Sequence, residues 1–275
     1  MPTAISVKNL TKTFGKLTAV DNISFDVEAG SIFAFLGPNG AGKTTTIKML
    51  TTLVAPTSGS ITVNGFDPTK NANKVRKSFG IVFQDPSLDD ELTAYENMFF
   101  HAGLYHIPRK ETPARIKEML EFVELWDRKD DLVKRYSGGM KRRLEIARGL
   151  LHTPAVLFLD EPTVGLDPQT RNHIWTYIKK LNKDRGLTVF FTTHYMDEVE
   201  RIADKVAIID QGKIIANDTS ANIVAQAAQT GGEAGGVKTL EEAFIKMTGH
   251  NIRETEAGAT DHLRQMRGAW RGARR

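Results

Sequence analysis

The sequence predicts an α/β fold built around a sheet with a parallel core, and three stretches carry that expectation. The apolar run Ile32-Phe33-Ala34-Phe35-Leu36 leads into a glycine-rich loop and then a helix-like run, Thr46-Ile47-Lys48-Met49-Leu50. A longer apolar run, Ala155-Val156-Leu157-Phe158-Leu159, ends on two carboxylates, Asp160 and Glu161. Its unbroken apolar character fits a strand covered on both faces, as parallel-sheet strands are. A third run, Leu187-Thr188-Val189-Phe190-Phe191, ends on Thr192-Thr193-His194.

Composition sets the outer bounds. With 275 residues, 40% hydrophobic and 25% charged, the chain has room for one large domain or two small ones around a sizeable core. The lack of cysteine excludes disulfides, thiolate chemistry and cysteine-based metal sites. No run approaches the roughly 18 uninterrupted apolar residues of a membrane span. Met1-Pro2-Thr3-Ala4 lacks the basic and apolar regions of a signal peptide. A cytoplasmic protein is expected. The net charge is only +4, and much of the basic excess falls at Arg264, Arg267, Arg271, Arg274 and Arg275, which reads as a solvated end.

In chain order, residues 4–28 alternate apolar and polar in short strand-like runs, with Phe14 among them and a turn at Glu28-Ala29-Gly30. Taken alone, Phe14 reads as core. The loop Gly37-Pro38-Asn39-Gly40-Ala41-Gly42-Lys43-Thr44-Thr45 has the G-x-x-x-x-G-K-[ST] pattern between strand and helix that binds phosphate. Its glycines let backbone N–H groups converge on an anion, and the start of the next helix adds partial positive charge. Lys43 is placed to reach the β- and γ-phosphates, and the Thr44 hydroxyl to ligate a magnesium ion.

Ser58 to Gly65 reads as turn, strand, turn. Phe79 to Phe83 reads as a buried strand leading to Gln84-Asp85-Pro86, where Gln84 is either part of a surface turn or a polar group in the ligand crevice. From about Leu92 to Leu151 the pattern is helical. It opens on Thr93-Ala94-Tyr95-Glu96, continues with Ile116, Met119, Leu120 and Val123, and is broken by Pro108 and Pro113. Within it Ser137-Gly138-Gly139 is either a plain helix cap or an anion site at a helix N-terminus. Asp160 and Glu161 are costly at the end of a buried strand unless a cation or hydrogen-bond donor meets them. Asp160 fits the magnesium-facing acid and Glu161 the group that polarises an attacking water. His194 is either structural or a γ-phosphate ligand. A helix over 196–203, two short strands around Asp210-Gln211-Gly212, a helix fading into a linker over 221–236 and a short amphipathic helix over 240–249 complete the chain.

Taken together and in this order, the motifs across about residues 3–220 resemble the ATPase subunit of ATP-binding cassette (ABC) transporters. The resemblance implies a P-loop NTPase cassette with a RecA-like parallel core, an antiparallel β subdomain and an inserted helical subdomain over about 88–152. It divides the chain at about residue 230, with a C-terminal extension over 231–275. It implies ATP and Mg2+ as cofactors, the ion held by Thr44, Gln84 and Asp160. Phe14 becomes the base-stacking aromatic and Gly37 to Thr45 the Walker A loop. Gln84 becomes the Q-loop, Ser137-Gly138-Gly139 the signature, Glu161 the catalytic base, Asp167 the D-loop and His194 the switch histidine. Met140 replaces the usual glutamine, a pattern similar to the drug-resistance subgroup that resembles daunorubicin exporters. Two partners are implied: a separate integral-membrane permease and a second copy in an ATP-sandwiched head-to-tail dimer, with the chain peripheral at the inner membrane face. Nucleic acid is not expected. The rival, a soluble ABC ATPase acting on nucleic acid or ribosomes, usually carries two cassettes, a long coiled coil or a zinc module, none of which is legible here.

Overall fold

The computed structural model describes residues 2–229 and 237–249. Two sheets organise it. The smaller is antiparallel: β1 (Thr3–Phe14) and β2 (Leu17–Glu28) form a hairpin, and β4 (Ser58–Val63) pairs with the other edge of β1. The expected short runs over 4–28 are thus two strands of 12 residues each, because cross-strand pairing carries the ladder through polar positions that the alternation alone leaves out.

The larger sheet has six strands, adding β3 (Ile32–Leu36), β5 (Phe79–Val82), β6 (Val156–Asp160), β7 (Thr188–Thr193), β8 (Lys205–Asp210) and β9 (Lys213–Asp218). Their order is β5-β6-β7-β3-β8-β9, parallel except for β9, which returns antiparallel after the Gln211-Gly212 turn. Every residue of β3, β6 and β7 is buried. Their alternation divides two cores. Phe33, Phe35, Phe158 and Phe190 face the antiparallel sheet, while Ile32, Ala34, Leu36, Leu157, Leu159, Val189 and Phe191 face the helices. Phe25, Phe33 and Phe190 stack with centroids 5.7–6.0 Å apart, tying the two sheets together. Each such buried ring contributes about 2–3 kcal/mol through the apolar area it removes from water.

The helices are α1 (Lys43–Leu50), α2 (Ala72–Ser78), α3 (Ala94–Leu104), α4 (Thr112–Phe122), α5 (Gly138–Leu150), α6 (Pro168–Arg185), α7 (Met196–Ile202), α8 (Ser220–Gln229) and α9 (Leu240–Thr248). The capping box forms at α3, where Thr93 accepts from the Glu96 backbone N–H and the Glu96 carboxylate accepts from Thr93. The segment is broken into separate helices between Leu104 and Thr112, and Pro113 sits in the first turn of α4, where a proline forfeits no intrahelical bond. Ile116, Met119, Leu120 and Val123 are buried as the spacing predicts. The helix after the glycine loop begins three residues earlier than its apolar run, at Lys43. Leu240, Ala243 and Phe244 of α9 enter the same core as the helical side of the large sheet. The expected linker over 230–236 and the basic end beyond 250 lie outside the described residues.

Candidate nucleotide site

The functional side chains gather along one edge of the large sheet. Gln84 follows β5, Asp160 and Glu161 close β6, His194 follows β7 and the glycine loop follows β3. These strands are neighbours in the sheet and parallel, so their carboxyl ends line a single crevice, the usual ligand position of such sheets.

The glycine loop is shaped for an anion. Gly42 sits at φ +106°, and a Cβ there would lie 2.5 Å from the Ala19 carbonyl oxygen, so only glycine fits. It is also the N-cap of α1 and offers no side-chain acceptor to the N–H groups of the first turn. Those donors face the loop, where an anion satisfies them. The Lys43 ammonium is folded back: it donates to the carbonyls of Gly37 and Pro38 at 2.7 and 3.1 Å and pairs with Glu161 at 3.1 Å.

The two carboxylates have different surroundings. Asp160, only 2% exposed, accepts from the hydroxyls of Thr192 at 2.6 Å and Thr44 at 3.3 Å. Glu161, 5% exposed, lies between Lys43 and His194, whose Nδ1 is 3.4 Å from the second carboxylate oxygen. Burial works to raise the pKa of Glu161, but hydrogen bonds and charge from His194 and Lys43 outweigh it and hold the carboxyl down at about 2. Glu161 is therefore ionised at neutral pH, and its backbone takes the left-handed conformation at φ +48°, which a side chain rarely adopts.

One pocket brings together Phe14, the loop residues 38–40 and 42–45, Gln84 and Glu161. Phe14 is 47% exposed at the hairpin tip, so the core reading of this residue is wrong: the hairpin overhangs the crevice and the ring forms part of its wall. Gln84 is exposed and lines the same pocket, which favours the crevice reading over the turn. The Thr44 hydroxyl and the Gln84 amide line the pocket, and the buried Asp160 carboxylate lies directly behind Thr44, so the three supply hard oxygen donors near one another. Such a set suits a small divalent cation that arrives with phosphate oxygens. Among the described residues no cluster of three or more His, Cys, Asp or Glu could hold a metal without that help.

Ser137, Gly138, Gly139 and Asp167 do not line this pocket. Ser137 caps α5, its Oγ accepting from the Met140 N–H at 3.3 Å, which leaves its own O–H free to donate. Gly139 is required by packing as well: a Cβ there would come within 2.5 Å of Thr170 Cγ2. Thr170 is held by Asp167, which caps α6 and accepts from both its N–H and its hydroxyl. The signature turn and the Asp167 turn are therefore one packed surface. Met140 turns inward onto the helical core, with an Arg128 N–H 3.7 Å from its sulfur.

Two residues escape sequence reasoning. Thr192 donates to Asp160 and accepts from the Glu161 N–H at 3.0 Å, so one hydroxyl orders both acids. Its only sequence signal is that the apolar run of β7 turns to hydroxyls at its end. Arg142 carries no signal in Lys141-Arg142-Arg143 that sets it apart from its basic neighbours, yet it is 7% exposed beneath Glu161.

Comparison with known proteins agrees with this geometry. The family described as "ABC transporter" matches residues 20–164. The linearmycin resistance ATP-binding protein LnrL of Bacillus subtilis is 46% identical over 219 residues, covering 80% of this chain and 70% of that protein. The daunorubicin/doxorubicin resistance ATP-binding protein DrrA of Streptomyces peucetius is 42% identical over 220 residues, covering 80% of this chain and 66% of that protein. The dimeric post-hydrolysis structure of the ATP-binding cassette MJ0796, bound to ADP and Pi, superimposes with a TM-score of 0.71 at 27% identity, covering 78% of this chain and 98% of that one.

Proposed function

This chain belongs to the ABC transporter ATP-binding family, and from that premise we propose that it hydrolyses ATP with Mg2+ in a composite site and so drives a separate membrane permease. The observation that carries the reading is the crevice itself, where Lys43, Thr44, Gln84 and Glu161 converge with Asp160 and His194 behind them. Phe14 stacks on the base. Backbone N–H groups of residues 37–45 cradle the phosphates, and Lys43 leaves Glu161 to pair with them. Thr44, Gln84 and Asp160 would hold a magnesium ion, which would supply charge neutralisation for the transferred phosphoryl group. Glu161 takes the proton of the attacking water. While Lys43 and His194 both hold its carboxylate it is a weak base, and moving Lys43 to phosphate raises its basicity. His194 then braces the γ-phosphate side.

Ser137, Gly138, Gly139 and Asp167 lie on a surface apart from this pocket, which suits a role in the partner's site. Two copies arranged head to tail would each complete the other, a reading supported by the dimeric cassette that the chain resembles. We assign this engine to residues 1–230. Hydrolysis measured with and without EDTA tests the metal: turnover vanishes on chelation and returns with excess Mg2+. EDTA-resistant turnover would remove the metal from the scheme.

Among the described residues no helix is long and apolar enough to cross a membrane. The docking face we assign lies beside Gln84. Phe83 and Asp85 flank it, and α3 presents Phe99, Phe100 and Leu104 to solvent, with Tyr95 stacked on Phe99. Exposed aromatics of this kind are typical anchors of an interface. Replacing Phe83, Tyr95, Phe99 and Phe100 by Ser is expected to reduce permease co-purification about tenfold or more while ATP affinity holds. Unchanged co-purification would discard this face. LnrL and DrrA are both named as resistance ATP-binding proteins, which supports a role in drug export, and we take the cargo to be lipophilic and the permease to be of the ABC-2 type from the subgroup resemblance.

A further inference from the structure

We propose that Arg142 is a positioning residue that fixes the catalytic base loop and the Gln84 segment to the helix bearing Ser137-Gly138-Gly139; this rests on the ATPase reading of Glu161. A guanidinium has five N–H groups, and here all five are used. Nε donates to the Pro162 carbonyl at 2.7 Å, and Nη2 to those of Asp160 and Glu161 at 3.4 and 3.0 Å. Nη1 donates to the Phe83 carbonyl and to Glu145 at 3.1 Å.

Those partners are not scattered. Three are the successive carbonyls of residues 160–162, which bracket the left-handed backbone of Glu161. On the opposite side, the Glu161 N–H is held by the Thr192 hydroxyl and carbonyl. A strained residue persists only when its surroundings over-determine it, and Arg142 and Thr192 together do so. The fourth carbonyl, of Phe83, lies immediately before Gln84. The far end of that segment is tied to the same helix, since Glu145 accepts from the Ser87 N–H at 2.8 Å and Arg148 donates to the Ser87 carbonyl at 2.7 Å. One helix thus carries the signature at its N-terminus and grips, through its next two turns, both the base and the segment that faces the permease. Movement of the signature towards a partner's nucleotide is transmitted in cis to the alignment of Glu161.

A lysine in place of Arg142 keeps the charge but offers three donors from one point, and so cannot span the gap between Phe83 and Pro162. The test uses the full chain with Arg142→Lys and Arg142→Met, and reads thermal stability, affinity for trinitrophenyl-ATP, and kcat and KM for ATP. Misalignment of a base by about 1 Å costs on the order of 100-fold. Both variants are therefore expected to bind nucleotide within about twofold of the parent while kcat falls about 10- to 100-fold. Should Arg142→Met fail to fold, Arg142→Lys carries the test alone. Recovery of parental kcat in Arg142→Lys, or loss of affinity in step with kcat, would overturn the positioning role. An inactive parent chain would instead overturn the ATPase reading, and the positioning role with it.

Discussion

Glu161→Gln is expected to lower ATP turnover by about 100- to 10,000-fold, the range that a general base supplies, while ATP binding persists. The substitution preserves shape but removes the charge that accepts the proton. It also frees Lys43 in the nucleotide-free chain, because the ammonium then meets only the neutral carbonyls of Gly37 and Pro38 and an amide. ATP is consequently expected to bind at least as tightly as in the parent. With the γ-phosphate retained, two copies stay closed around it, and gel filtration with ATP and Mg2+ should show a stable dimer. Retained hydrolysis would reassign the base. A variant that is slow but remains monomeric would leave the base in place and remove the composite site.

Lys43→Ala is expected to weaken ATP binding by on the order of 10- to 100-fold, since hydrogen bonds from a charged donor are worth about 1.5–3 kcal/mol. The ammonium is 4% exposed and has no solvent to replace it. Its loss also leaves the Gly37 and Pro38 carbonyls and one Glu161 oxygen without that donor, so the empty loop should lose order together with affinity. Isothermal titration with ATP and with AMP separates the two effects. A phosphate contact predicts a large loss for ATP and little for AMP, whereas general collapse of the loop predicts equal losses. Full affinity for ATP would contradict the phosphate role.

The positions of the glycine-rich loop after β3, the carboxylates at the end of β6 and the histidine after β7 were legible because each requires a particular residue at a particular place along one strand and its turn. Gly42 has no substitute at φ +106°, and unbroken apolar runs such as 156–159 have no other comfortable place than a sheet covered on both faces. Phe14 was misjudged on its own because burial belongs to the tertiary arrangement: the strand pattern says aromatic, and only the overhang of the hairpin says exposed. The break that Pro108 and Pro113 mark was legible, whereas which residues end α3 and open α4 depended on the caps that packing supplied.

The sequence by itself determined which residues are candidates: the loop proposed to bind phosphate, the acids proposed to meet the metal and the water, and the helix turn that Ser137 caps. Local backbone demands and the fixed spacing of motifs are written in neighbouring residues, so they survive without a fold. Tertiary structure decided which of these groups meet. It set Lys43 against Glu161, turned Met140 inward, placed Ser137 and Asp167 on a shared surface away from the pocket and buried Arg142 beneath the base. Such pairings join residues from 18 to 118 positions apart, and nothing in a basic run like Lys141-Arg142-Arg143 reveals which member faces inward until helix packing and strand order have fixed its neighbours.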